Sequence, residues 1–120
     1  MKKIILSVSF VSFLALSCKK TETGITVDII SPSDKLQVSS GQHIHFKANI
    51  VSKAELHEYG LAIIDTVSGD TSVSWEVHDH VTEITFDSLY TLPASKYRAI
   101  FLATDHEGTT GSGTRYFSIQ

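Results

Sequence analysis

Within Gln42 to Val51 apolar and polar side chains alternate from His43 to Ile50, with Ile44, Phe46, Ala48 and Ile50 on one side and His43, His45, Lys47 and Asn49 on the other. Successive residues of a β-strand point to opposite faces, so as a strand this run buries one face and wets the other. As a helix it would scatter its apolar residues around the whole circumference. The same period recurs along the chain, in Ile25–Ile29, Leu56–Asp65, Thr71–His78, Glu83–Leu89, Tyr97–Thr104 and Thr114–Ile119. No stretch from Ile25 onward carries a 3.6-residue apolar period.

Turn chemistry separates these runs. Pro32, within Ser31-Pro32-Ser33-Asp34, cannot donate to a ladder and stops the first. Gly69, within Thr66-Val67-Ser68-Gly69-Asp70, supplies the positive φ that a short hairpin needs. Seven strands about a dozen residues apart predict an all-β, seven-stranded immunoglobulin-like β-sandwich over residues 25–120. Trp75, Tyr59 and Phe117 are expected in its core, Gly60 and Gly108 as backbone accommodations, and Thr109 to Gly113 as a flexible hairpin loop. At 120 residues with 42% hydrophobic content, one core of this size can fold alone.

The residues before Ile25 are of another kind. Met1-Lys2-Lys3 precedes an apolar run from Ile4 to Leu16, then Ser17-Cys18-Lys19-Lys20, which is the charged, apolar and cleavage layout of a secretory signal. The run is shorter than the roughly 20 residues of a membrane-spanning helix. The sole cysteine stands at its end, and Leu14-Ala15-Leu16-Ser17-Cys18 resembles the lipobox of bacterial lipoproteins. The resemblance implies a signal peptide over 1–17, a lipidated Cys18 with a tether over 18–24, and a membrane partner reached through that lipid. Lys19, in place of an acidic residue after the cysteine, implies the outer membrane of a bacterial envelope. A lipid-linked Cys18 leaves the mature chain no free thiol, so the fold stands without disulfides.

A second resemblance spans most of the mature chain. Ile25-x-Val27-x-Ile29-x-Ser31-Pro32, followed by Val38-x-x-Gly41-x-x-Ile44-x-Phe46-x-Ala48, resembles the opening of immunoglobulin-like domains common in Bacteroidota lipoproteins. Tyr97-x-Ala99-x-Phe101-x-Ala103-x-Asp105-x-x-Gly108 is similar to a strand that those domains share with fibronectin type III modules, where the tyrosine anchors a corner and the glycine opens the last hairpin. One departure is that the second run has Phe46 and no tryptophan, the only tryptophan being Trp75. The likeness, to histidine-bearing lipoproteins of this kind, implies a fold and no activity.

Composition then narrows the function classes. A net charge of −3 and a pI near 6.0, with no long basic run, give no footprint for a phosphate backbone, so nucleic acid is excluded as a partner. There is no Gly-x-Ser-x-Gly elbow, no phosphate-cradling glycine loop and no free cysteine, which predicts a protein that is not an enzyme.

The six histidines are the informative residues. Two His-x-His pairs, His43/His45 and His78/His80, fall on or beside strands, where side chains two apart share a side and can reach one ion. Strand directions place His43 and His45 at one end of the sandwich and gather His57, His78, His80 and His106 at the other. There they predict a zinc or copper site, with those four as ligands and Asp79 or Asp105 orienting an imidazole. Parity argues against this grouping, since it turns His57 and Asp105 inward and sends His78 and His80 outward. Solvated histidines fit the same residues. A further candidate surface is the outer face on which Ile100 and Leu102 join Ala62 and Ile64, an apolar patch suited to an envelope protein or glycan partner. Its alternative is that Arg98 covers these side chains with its aliphatic stem.

Overall fold

The computed structural model describes residues 24–120; the signal segment, Cys18 and most of its tether lie outside the described residues. The described chain is all β: β1 (Ile25–Ser31), β2 (Leu36–Val38), β3 (Ile44–Ser52), β4 (Leu56–Asp65), β5 (Thr71–His78), β6 (Glu83–Tyr90), β7 (Ser95–Asp105) and β8 (Thr110–Ile119). They form two sheets, one ordered β1-β3-β6 and the other β2-β8-β7-β4-β5. All pairings are antiparallel except β2 with β8.

The alternating residues meet between the sheets as expected. Ile44, Phe46, Ala48 and Ile50 of β3 and Tyr97, Ala99, Phe101 and Ala103 of β7 are all buried. Their aromatic rings interlock edge to face and offset, Phe46 against Tyr90 and Phe117, Tyr97 against Phe117, and Phe86 against Phe101, the geometries that ring quadrupoles favour. Tyr59 and Phe117 are core residues, whereas Trp75 is only half-buried. It lies on the edge strand β5 and closes the open side of the sandwich against Phe86, with centroids 5.2 Å apart. Tyr97 Oη donates to the Pro93 carbonyl at 2.6 Å, so the tyrosine anchors the corner between β6 and β7 as its pattern implied.

Three further expectations need correction. Among the described residues the strands number eight, because Leu36–Val38 pairs parallel with Phe117–Ile119, a ladder too short to show a period. Thr109 to Gly113 is mostly strand, since β8 begins at Thr110. Gly111 and Gly113 sit there because β1 crosses close above, and a Cβ on Gly111 would come within 2.6 Å of Ile25 Cγ2; glycine in a strand often marks such an approach. Finally, the parity of β4 is broken at its start. Leu56 pairs with Asp105 and Glu58 with Thr104, so His57 is the extra residue of a β-bulge. The bulge lets Leu56 keep the core side with Tyr59, Leu61 and Ile63 and leaves His57 off the core.

Candidate metal centre

One end of the sandwich carries the start of β4, the end of β5, the β5–β6 connection and the β7–β8 hairpin, and each brings a histidine. Backbone bonds tie these segments together. Leu56 N donates to Val81 O at 2.8 Å, Ser52 N to Thr82 O at 2.8 Å, and His106 N to Glu55 O at 3.3 Å. The hairpin that holds His106 is shaped by Asp105, whose buried carboxylate accepts from the backbone N–H groups of Glu107 (2.9 Å) and Thr109 (2.8 Å). Gly108, at φ 82°, completes the turn.

The four imidazoles meet. His57 stands edge-on to both His78 and His106, with ring centroids 4.2 and 4.9 Å away. His78 Nε2 and His80 Nε2 are 3.3 Å apart, and His80 Nδ1 and His106 Nε2 are 2.7 Å apart. The His80 and His106 rings are inclined by only 6° with centroids 4.7 Å apart. A nitrogen separation of 2.7 Å is too small for a face-to-face stack, so the rings lie side by side and share one hydrogen, a donor on one ring meeting a lone pair on the other. His57 Nδ1 is buried with no hydrogen-bond partner.

Glu55, just before β4, completes a group that sequence reasoning missed: one ligand atom each from Glu55, His80 and His106 lie within 4.8 Å of one another. The bookkeeping that brought His57 to this end carries Glu55 with it, two positions earlier, but a single carboxylate among many has no spacing to mark it. The two aspartates read as orienting residues do other work. Asp105 is committed to its own hairpin, and the charge of Asp79, behind the larger effect of burial, raises the pKa of the Tyr59 phenol. Among the described residues neither makes a hydrogen bond to an imidazole.

Chemically, His80 is the pivot. Its two ring nitrogens face different partners and cannot both serve one ion, because their lone pairs diverge. An ion held by His80 Nδ1, His106 Nε2 and Glu55 would leave the His80 proton on Nε2, facing His78. Two nitrogens each about 2.0–2.1 Å from a zinc ion would stand farther apart than 2.7 Å, so the His80–His106 pair would have to open to hold one.

The other histidine pair is separate, as strand direction requires. His43 Nδ1 contacts Thr91 Oγ1 at 2.7 Å, and His45 Nε2 pairs with Asp87 Oδ1. On the outer face of the larger sheet, Ala62 pairs across from Ile100 and Gly60 from Leu102. Ala62, Ile64 and Ile100 are half-buried and Leu102 is 40% exposed.

No protein-family model matches the chain, and no curated protein matches it. Solved structures share its fold. The fibronectin(III)-like modules of CbhA from Clostridium thermocellum superpose with a TM-score of 0.54 at 15% identity, over 78% of this chain and 94% of theirs. OgpA from Akkermansia muciniphila, a catalytically inactive form in complex with an O-glycopeptide substrate, gives 0.55 at 14% identity over 82% of this chain. The chain spans 29% of the length of OgpA. An engineered protein gives 0.55 at 15% identity, over 80% of this chain and 20% of its own. At these identities the likeness is one of fold.

Proposed function

We propose that this is a lipid-anchored, non-enzymatic binding module of a bacterial envelope, held through Cys18, most simply at the outer membrane, that captures a zinc or copper(II) ion at the histidine-bearing end of its sandwich. The observation that carries the reading is the convergence of four imidazoles and Glu55, from four chain segments, on one place. His80 Nδ1, His106 Nε2 and a Glu55 oxygen are the ligands, a two-histidine, one-carboxylate set that leaves a position open to water or a partner's donor. His78 accepts the Nε2–H of His80 and so fixes its tautomer, the task that an outer partner performs for a metal-bound imidazole. His57 packs against His78 and His106 and holds their planes.

The test is the thermal midpoint of the full chain in detergent, with and without zinc and copper(II), beside His80→Ala and His43→Ala/His45→Ala. An ion at 100 times its Kd stabilises the folded state by about 2.7 kcal/mol, so one metal is expected to raise the midpoint of the wild type and of the His43/His45 variant by several degrees and to leave His80→Ala unmoved. No shift with either metal, or an equal shift in His80→Ala, overturns the assignment.

A second reading rests on the outer face around Leu102. There Ala62, Ile64 and Ile100 run along the sheet from an exposed leucine that pairs across from Gly60, a shallow apolar surface able to dock an envelope protein or glycan with no metal involved.

A further inference from the structure

At the end of the molecule opposite the metal centre, the outer face of the larger sheet is hollowed where β2 lies against β8. The cleft has a volume of about 380 Å3 and is lined by residues that include Lys35, Thr66, Lys96, Tyr116 and Ser118, a size within the roughly 300–1,000 Å3 of small-ligand sites. Tyr116 is 51% exposed although it sits mid-strand, so its ring is open to a ligand. Arg98, its cross-strand partner, brings a third cation to the margin, and its Nε is buried without a hydrogen-bond partner. None of Lys35, Lys96 and Arg98 is in an ion pair among the described residues. Lys47, Lys53 and Arg115, the other described cations, lie elsewhere and are likewise in no ion pair among the described residues, so half of the six described cations stand around one aromatic ring.

Two carboxylates lie nearby, and backbone N–H groups hold both. Asp34 accepts from Tyr116 N at 3.1 Å. Asp65 accepts from Ser95 Oγ, Val67 N and Ser68 N, bonds that lower its pKa and keep it committed to its turn. The second independent observation is the backbone at Lys35, whose φ of 62° makes it the one non-glycine among the described residues at positive φ. Its N–H is tied to Tyr116 O at 2.7 Å. Glycine or asparagine suits that conformation better; a lysine held there trades local strain for an ammonium group at the cleft, as residues at binding sites often do.

We infer that this cleft binds an acidic saccharide, the sugar ring lying on Tyr116 and its carboxylates facing Lys35, Lys96 and Arg98. Charge complementarity selects an anion, and the exposed aromatic face selects one with a flat C–H surface over a bare ion. The site is independent of the histidine centre and stands whether or not a metal binds.

The probe is trigalacturonate, titrated against the full chain in detergent by calorimetry, beside uncharged maltotriose and inorganic phosphate. The variants are Lys35→Gly, Lys96→Gln and Tyr116→Ser. Saturable binding of trigalacturonate alone is expected, weakened at least tenfold in each variant. Lys35→Gly is decisive, because it relieves the backbone strain: its thermal midpoint is expected to equal or exceed that of the wild type while binding falls, which separates a lost ligand contact from a damaged fold. Absence of trigalacturonate binding, equal binding of maltotriose, competition by phosphate at equal charge, or full binding by Lys35→Gly each overturns the inference.

Discussion

Tyr97 concentrates on one side chain what makes this corner stable. Its ring stacks on Phe117 and its hydroxyl reaches back to Pro93 O, so one residue closes the apolar core and satisfies a carbonyl where the chain crosses between sheets. Tyr97→Phe keeps the ring and orphans that carbonyl, a loss of about 0.5–1.5 kcal/mol, which urea unfolding measures as a lower midpoint at unchanged slope. Burial first, and the charge of Asp65 second, raise the phenol's pKa above its ordinary value of 10.0. A pKa raised by folding means that the stabilising contribution is complete below about pH 10 and is lost as pH rises through the folded value. The wild type is therefore expected to lose stability above pH 10 more steeply than Tyr97→Phe. Tyr97 was legible in advance because its motif names both ring and corner. His57 was not: alternation sent it inward, and only a bulge of one residue, invisible to a period of two, returned it to the cluster.

At the scale of elements, long alternating runs announced themselves and short or crowded ones did not. β3 to β6 could be drawn to within two residues, because each carries its own inside and outside. β2 has three residues and exists because β8 offers it a parallel ladder. The start of β8 reads as a loop in its glycines and small polar residues, whereas those glycines are the condition for β1 to pack. Gly111→Ala tests this, since its Cβ would meet both side chain and backbone of Ile25. Overpacking of this kind destabilises by about 1–3 kcal/mol, while Ser112→Ala on the exposed side should stay within about 0.5 kcal/mol of wild type. Equal midpoints for the two variants in chemical denaturation would show that β1 yields more readily than its close packing indicates.

For the molecule as a whole, the sandwich separates two chemistries by the length of its strands, the four clustered imidazoles with Glu55 at one end and Lys35, Lys96 and Arg98 around Tyr116 toward the other. Much of this architecture follows from local information. The alternation of β3 and β7, the stops at Pro32 and Gly69, and the direction of each strand sufficed to give an all-β sandwich and to bring His57, His78, His80 and His106 to one end, because side-chain period and chain reversal are properties of neighbouring residues. What needed the tertiary structure was every feature created by residues distant in sequence: the β2–β8 pairing, the bulge at His57, the entry of Glu55 beside His80 and His106, the commitment of Asp105 to its hairpin, and the cleft under Tyr116. Each depends on a separation of a few ångströms between segments that share no local pattern, and only the packing of one sheet on the other sets such separations.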